Sequence, residues 1–205
     1  MSSNRTMHIP LYSHFFEREK RELAHMHNCT LSTFRYASGV EALQVSTGRG
    51  EITWLPFLGG EIWNWSIDGV SQKFSGFVPE PTYGKDFLHN YGAFLIHCGV
   101  LSMGNPTKED NHPHHGELHS SRPTACSLAY DPDEKDYPLS LTCTFTYHTP
   151  FEASYTFTPT IRVKHDGTSM IVDSVLKNNA QTPLQYQYLA HINFAYPRSG
   201  RLSYS

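Results

Sequence analysis

Polar side chains able to bind a ligand alternate with apolar ones near the C-terminal end of the chain. In the run from position 184 to 194, the polar positions are Gln185, Gln187, His191 and Asn193. Since successive side chains of a strand point to opposite faces, we expect these four on one face of a strand. We expect the other face to lie in the core, because it consists of Leu184, Tyr186, Tyr188, Ala190, Ile192 and Phe194. Three amides and an imidazole suit a ligand rich in hydroxyl groups, and an ordinary solvated face is the alternative interpretation.

A second group of reactive side chains lies between positions 111 and 119. His112, His114 and Glu117 form the string HxHxxE, which is close to the metal-binding motif of the all-β cupins. Two imidazoles and a carboxylate would suit Fe(II), Mn(II) or Zn(II). However, the cupin motif has its glutamate slightly further along, and no clear second histidine motif follows. We therefore expect no metal here, and a His-rich surface loop is a simpler interpretation.

A third interpretation makes His115 a ligand-binding residue. His115 is followed by Gly116, and a glycine at a sheet edge permits the close approach of a ligand. We expect the imidazole to point into the same cavity as the polar face of the strand at 184–194.

The composition excludes several classes of function. With 205 residues, of which 39% are hydrophobic and 13% aromatic, the chain fits one large β domain, residues 1–205. A formal net charge of -3 provides no basic surface for nucleic acid. No apolar run is long enough to span a membrane and the N-terminus lacks a signal peptide, so we expect a cytoplasmic protein. The four cysteines include no CxxC pair and predict neither a disulfide framework nor a zinc site.

The spacing of short apolar runs and turn residues along the chain is typical of an all-β protein. Short apolar or alternating runs predict strands at 39–45, 52–55, 61–67, 139–147, 155–163 and 170–176. Asp68-Gly69 is a strong hairpin signal. The N-terminal segment 1–27, with its charged part 14–27, predicts a cap built from a short helix or an edge strand. By alternation, Trp63 and Trp65 pack into the core with Ile67. Together these elements predict two stacked antiparallel sheets.

Six short motifs in order resemble galactose mutarotase-like proteins, and most of all the uncharacterised branch grouped as DUF4432. The motifs are GVEAL at 39–43, TGRG at 47–50, GGEI at 59–62, CGVLSMG at 98–104, HGELH at 115–119 and HINFAYP at 191–197. The resemblance implies an antiparallel β-supersandwich that binds a sugar on its concave face.

The resemblance also implies a reaction and roles for individual residues. Mutarotases interconvert the anomers of an aldose: a carboxylate takes the proton of the C1 hydroxyl while a histidine protonates the ring oxygen, and no cofactor is needed. His191 aligns with the acid histidine, although the order Asn193-Phe194 differs from that of the classical enzymes. His115 aligns with a second, substrate-binding histidine.

One departure from the family affects catalysis. The glutamate base of the family lies downstream of the acid histidine, whereas this chain ends shortly after His191, so its C-terminal strands are expected to be missing. Glu117 is the nearby carboxylate that would substitute as the base. A sandwich without those strands would have an open sheet edge, which a second copy of the chain would cover.

Two functions follow from the sequence. The first is an aldose 1-epimerase-like isomerase that uses His191 as the acid. Its expected sugar-binding residues are His115, Asn193, Gln187, Gln185 and Arg49. The second is a non-catalytic sugar-binding module that has lost the base. A metal-dependent, cupin-like protein with His112, His114 and Glu117 as ligands is a further alternative.

Overall fold

Most of the chain forms strands, as its alternation of apolar and polar residues predicts. The computed structural model describes residues 6–76, 78–84, 86–197, 199–201 and 203–204. In chain order, the strands are β1 (Met7–Leu11), β2 (Arg21–Met26), β3 (Cys29–Arg35), β4 (Glu41–Ser46), β5 (Gly50–Leu55), β6 (Glu61–Ile67), β7 (Val70–Ser71), β8 (Leu95–Val100), β9 (Ala125–Tyr130), β10 (Leu139–Thr149), β11 (Ala153–Val163), β12 (Met170–Asn178) and β13 (Gln187–Ile192). Among these described residues, three 3₁₀ turns occur, at Ser13–Phe15, Phe87–Asn90 and Leu118–Ser120. Within the described ranges, no helix is long and apolar enough to cross a membrane.

The strands form two antiparallel sheets. The small sheet has the order β1-β9-β10-β11-β12, and the large sheet has the order β13-β8-β6-β5-β4-β3-β2, with β7 paired to β6. The predicted all-β sandwich is therefore confirmed. The charged segment 14–27 provides an edge strand, β2, rather than a helix, and residues 1–5 of the expected cap lie outside the described residues.

The main core lies between the two sheets. Leu31, Leu43 and Ile52 of the large sheet pack in the same buried cluster as Leu141, Phe145 and Phe157 of the small sheet. Every second residue of β10 and β11 is buried over most of their length, as a strand with one face on a core requires. Burying a side chain of this size contributes about 1.5–3 kcal/mol, so this face dominates the stability of the sandwich.

Because β6 contains a bulge, its two tryptophans lie on opposite faces of the large sheet. Trp54 of β5 lies opposite Ile62, and Thr53 lies opposite Asn64, so Trp63 is the extra residue. Trp65 packs against the main core, whereas Trp63 belongs to a second cluster on the other face of the large sheet. The expectation that both pack in one core is therefore wrong for Trp63, because one inserted residue reverses the alternation.

The strand predicted at 184–194 forms as β13, but its apolar back is not in the core. β13 is the edge strand of the large sheet and pairs only with β8 among the described strands. Tyr186, Ile192 and Phe194 are exposed. The prediction is wrong because alternation assigns residues to a face of the sheet and does not say what covers that face.

The cysteines also differ from the expectation. Cys126 and Cys143 lie opposite each other on β9 and β10, with 4.3 Å between their Cα atoms, and form a disulfide. Cys29 and Cys98 are free and buried. Sequence spacing did not reveal this pair, because strand register brings together cysteines that are 17 residues apart.

Candidate functional site

A second apolar cluster covers the outer face of the large sheet, which is the face turned away from the small sheet. Its buried members are Val40, Ala42, Leu55, Leu58, Trp63, Phe87, Ala93, Ile96 and Cys98. Phe87 comes from the long irregular connection between β7 and β8, where it begins a 3₁₀ turn. The Asp86 carboxylate accepts a hydrogen bond of 2.9 Å from the Leu88 N–H and so caps this turn.

Four histidines surround the Phe87 ring. The distances from the Phe87 centroid to the imidazole centroids are 5.0 Å for His114, 4.7 Å for His115, 5.4 Å for His119 and 5.5 Å for His191. Phe87 itself is only 2% exposed. The structure therefore gathers side chains from three distant segments into one site, which we call the histidine cluster.

The two histidines singled out from the sequence meet in this cluster. The rings of His115 and His191 have centroids 5.7 Å apart, and the Tyr91 ring lies 5.7 Å from that of His191. His191 is half-buried on β13, opposite Ile96 of β8, and its Nδ1 atom is buried without a hydrogen-bond partner. Burial, and then the nearby His114, lower the pKa of His191. Since the ring as a whole is only half-buried, its accessible part can exchange a proton with a ligand.

A strained turn holds His115 in place. His115 and Gly116 have φ values of 57° and 81°. The His115 N–H donates to the Gly104 carbonyl, and the His115 carbonyl accepts from the Gly99 N–H, at 3.0 and 2.9 Å. A Cβ atom on Gly116 would lie 2.6 Å from the carbonyl oxygens of both Gly99 and Ser102. Gly116 therefore permits the close approach of the protein's own backbone, and not of a ligand as the sequence suggested.

Glu117 points to the inside of the sandwich. Its Oε1 atom accepts hydrogen bonds from the N–H groups of Val100 and Leu101, at 2.9 and 3.2 Å, and from the Tyr155 hydroxyl, at 2.6 Å. Burial and this carboxylate raise the pKa of Tyr155 far above its usual range. Since Tyr155 belongs to β11, Glu117 anchors the turn of His115 to the small sheet, and its carboxylate is directed away from the histidine cluster.

The remaining predicted ligand residues lie in different surroundings. The Asn193 side chain is buried and donates a hydrogen bond of 2.9 Å to the Ala93 carbonyl, which fixes the end of β13. Gln187 begins β13 and Gln185 precedes it, both with exposed side chains. Arg49 lies in the turn between β4 and β5 and forms a two-pronged ion pair with Asp68, at 3.0 and 2.6 Å. The predicted Asp68-Gly69 hairpin forms, with φ values of 50° and 78°.

The HxHxxE string does not converge on one point. His112 Nδ1 lies 2.9 Å from the Pro113 carbonyl, His114 packs against the ring of His115, and Glu117 faces the other side of the sheet. Across the described ranges, no group of three or more His, Cys, Asp and Glu side chains could hold a metal ion.

Two buried titratable groups of this face were missed by the sequence analysis. Both ring nitrogens of His119 are buried without a partner, and burial lowers its pKa to about 4. Both carboxyl oxygens of Glu61 are likewise buried and unpartnered, and burial raises its pKa well above the usual range. Phe87 and Tyr91 were also missed. The available signal was the length of their connection, because long irregular segments in compact domains are usually functional.

The chain belongs to the family described as "Domain of unknown function (DUF4432)", whose model matches residues 37–200. No curated protein matches the chain. A solved structure from Klebsiella pneumoniae subsp. pneumoniae MGH 78578, described as a "putative aldose 1-epimerase", has the same fold, with a TM-score of 0.79 and 16% sequence identity. That match covers 94% of this chain and 56% of the other, so the chain spans about half the length of its structural neighbour.

Proposed function

We propose that the protein binds a monosaccharide or sugar derivative at the histidine cluster and interconverts its anomers in the manner of an aldose 1-epimerase. The observation that carries the proposal is the convergence of His115 and His191, with 5.7 Å between their ring centroids, on the outer face of the large sheet. The solved structure that shares this fold is described as a "putative aldose 1-epimerase", which supports the same assignment.

His191 is the proposed acid. The His191 ring is half-buried, and its accessible part would protonate the ring oxygen of a bound sugar. A protonated imidazole with a lowered pKa gives up its proton readily, although a smaller fraction of it is protonated at pH 7. His115 would bind a hydroxyl group, and the rings of Phe87 and Tyr91 offer apolar surface to the C–H groups of the sugar.

The hydrogen bonds of Glu117 favour a second candidate, a sugar-binding module without catalysis. Ring opening needs a base as well as an acid, and each placed proton-transfer group contributes roughly 10²–10⁴-fold. Glu117 is the base suggested by the sequence, but Oε1 already accepts three hydrogen bonds from groups on the inside of the sandwich. A protein that has the cluster but no base would bind sugar without speeding anomer exchange.

Two-dimensional NMR exchange between the α and β anomers of a panel of aldoses distinguishes these candidates. Faster exchange that disappears in His191→Ala supports the epimerase. Broadened anomeric lines without acceleration support the binding module. The control is His148→Ala, because His148 is exposed on β10, on the other sheet. If neither line broadening nor acceleration occurs at millimolar sugar, both candidates are rejected.

A further inference from the structure

The two loop connections that contribute most of the histidine cluster also meet at a second point, the carboxylate of Glu41. Glu41 is the first residue of β4 and is only 2% exposed. The Tyr83 hydroxyl, from the connection between β7 and β8, donates a hydrogen bond to its Oε2 atom. Arg122, from the connection between β8 and β9, has its Nη2 atom 3.7 Å from Oε1 of the same carboxylate. We call these three side chains the Glu41 junction.

The carboxylate of Glu41 is itself held by the large sheet and by the N-terminal 3₁₀ turn. Its Oε1 atom accepts a hydrogen bond of 2.5 Å from the Ser13 hydroxyl. Nη2 of Arg35, on the neighbouring strand β3, lies 3.3 Å from the same oxygen. Burial alone would raise the pKa of Glu41, but the hydrogen bonds from Ser13 and Tyr83 and the charge of Arg35 outweigh it, so the pKa is lowered. The group is therefore a charged acceptor at neutral pH, and hydrogen bonds to charged acceptors are the strong ones.

Hydrogen bonds link Tyr83 to the turn that carries Phe87. The Asn90 side chain accepts a hydrogen bond from the Thr82 N–H and donates one to the Thr82 carbonyl, at 2.8 Å each. Thr82 directly precedes Tyr83, and Asn90 is the last residue of the 3₁₀ turn that Phe87 begins. The position of Tyr83 is therefore coupled to that of Phe87.

Ser121 links Arg122 to the histidines in a similar way. Its hydroxyl donates a hydrogen bond of 2.7 Å to the Glu117 carbonyl, and its N–H closes the 3₁₀ turn that contains His119. The Arg122 guanidinium also lies 4.8 Å from the centroid of the Tyr83 ring, so the two connections contact each other beside the carboxylate. The position of Arg122 is therefore coupled to that of the histidines.

We propose that Glu41 is a positioning residue, whose carboxylate determines where the Phe87 ring lies against the imidazoles of the β8–β9 connection. One connection contributes Phe87, the other contributes those imidazoles, and the ring centroids are 4.7 to 5.4 Å apart. Because each connection contacts a different oxygen of one buried carboxylate, Glu41 fixes their separation. Its effect on the geometry of the cluster is independent of the proposed function, whereas its effect on sugar rests on that function.

Three variants of the full 205-residue chain each remove one part of the junction. Glu41→Gln leaves one acceptor oxygen in place of two. Tyr83→Phe removes the hydroxyl and keeps the ring, and Arg122→Gln removes the charge. The matched control is Arg162→Gln, because it breaks an exposed ion pair with Asp173 on the small sheet, away from the junction.

The first measurement is the set of imidazole NMR signals of the folded protein. The circulating electrons of the Phe87 ring alter the chemical shifts of the imidazoles around it, so a displaced ring changes these shifts together. We expect the signals of His115 and His119 to shift in Glu41→Gln and Tyr83→Phe, and less in Arg122→Gln, whose contact is the longest. The signal of His97, buried in the core between the sheets, should stay in place in every variant.

The second measurement separates one shared link from independent anchors. In the Glu41→Gln background, Tyr83→Phe and Arg122→Gln should cause little further shift, because residues that act through one group have non-additive effects. If the unmodified chain speeds anomer exchange, Glu41→Gln should slow that exchange by roughly 10²-fold, the cost of misplacing a site by about 1 Å.

Three outcomes would overturn the proposal. The imidazole signals of Glu41→Gln could coincide with those of the unmodified chain, Arg162→Gln could move them equally, or Tyr83→Phe and Arg122→Gln could act in full on the Glu41→Gln background. A chain that neither binds sugar nor speeds anomer exchange would reject the proposed function, while the imidazole signals would still decide the role of Glu41. If Glu41→Gln fails to fold, Tyr83→Phe still tests the proposal, because it removes a single hydroxyl.

Discussion

The two faces of the large sheet each bury a histidine, and the two histidines differ in what they contact. His97 of β8 lies on the inner face, fully buried, with Nδ1 2.7 Å from the Tyr188 hydroxyl and its ring 5.6 Å from that of Phe157. His191, on the neighbouring strand β13, is half-buried on the outer face beside Phe87, Tyr91 and His115. Each has one buried ring nitrogen without a partner, Nε2 of His97 and Nδ1 of His191.

This comparison shows that an unpartnered buried nitrogen does not by itself identify a functional histidine. His97 is enclosed by the packed sheets, so its neutral ring serves as a core side chain with one hydrogen bond. His191 lies where aromatic rings and other imidazoles converge, and this convergence is what carries the proposed function. Convergence with other functional groups, rather than burial, distinguishes the two histidines.

Replacing each histidine in turn should have opposite effects. If the epimerase proposal is right, His191→Ala should slow anomer exchange by roughly 10²–10⁴-fold, because it removes a proton donor. The same change should leave unfolding by urea nearly unaltered. His97→Ala should lower the free energy of unfolding, because it opens a cavity in the core, and should leave the chemistry of bound sugar unchanged. The reverse pattern would contradict our assignment of the two faces.

Removal of the Glu117 carboxylate should destabilise the inner side of the sheet strongly. Glu117→Ala leaves the N–H groups of Val100 and Leu101 and the Tyr155 hydroxyl without their acceptor. We expect a loss of about 4 kcal/mol in the free energy of unfolding, measured with urea. Tyr155→Phe, which removes one of the three bonds, should cost clearly less. If Glu117→Ala is as stable as the parent but inactive, the carboxylate is free for catalysis and our structural role for it is wrong.

Acid should weaken the fold through His97. Burial lowers the pKa of His97 from 6.5 to about 4 in the folded state, so the unfolded chain binds the proton more readily. The stabilisation by the neutral ring is present above pH 6.5 and is lost as the pH falls towards 4, by about 3 kcal/mol in all. Urea unfolding between pH 7 and pH 4 measures this slope. His97→Leu should reduce this slope, with the contribution of His119, whose pKa is also about 4, remaining, and the exposed His148→Ala should leave it unchanged. Equal slopes in all three proteins would contradict the prediction.

The smallest effect is expected at Arg49. Its ion pair with Asp68 is exposed on both sides, and exposed pairs contribute little to stability. Arg49→Ala should therefore leave the unfolding midpoint and sugar binding close to those of the parent, as thermal unfolding and NMR titration would show. Loss of sugar binding in this variant would restore Arg49 to the site and extend the functional face to the β4–β5 turn.

The fold was predictable from the sequence where alternation and turn chemistry agree. The strands β10, β11 and β12 and the Asp68-Gly69 hairpin follow from local patterns alone. The bulge at Trp63 was not predictable, because one inserted residue has no signature in composition. The exposure of β13 was missed for a different reason: it depends on which strand packs over it, and no segment encodes that locally.

The candidate site was predictable only in part for similar reasons. His115 and His191 could be found because each belongs to a recognisable motif. Phe87, which contacts four histidines, could not, since its neighbours are distant in sequence and its own segment has no regular pattern. The spacing of HxHxxE suggested convergence of His112, His114 and Glu117, but Glu117 turns through the sheet towards Tyr155.

The hydrogen bond between Tyr155 and Glu117 has a consequence for any attempt to alter ligand preference. The turn that carries His115 also carries Glu117, whose carboxylate accepts a hydrogen bond from the Tyr155 hydroxyl on β11 of the other sheet. Selection acting on that turn therefore also acts on Tyr155, which belongs to the other sheet. A set of variants that changes the loops but retains Tyr155 would keep His115 in one position, because the hydrogen bond to Glu117 is retained. Variation at 155 together with the loops would let that imidazole move.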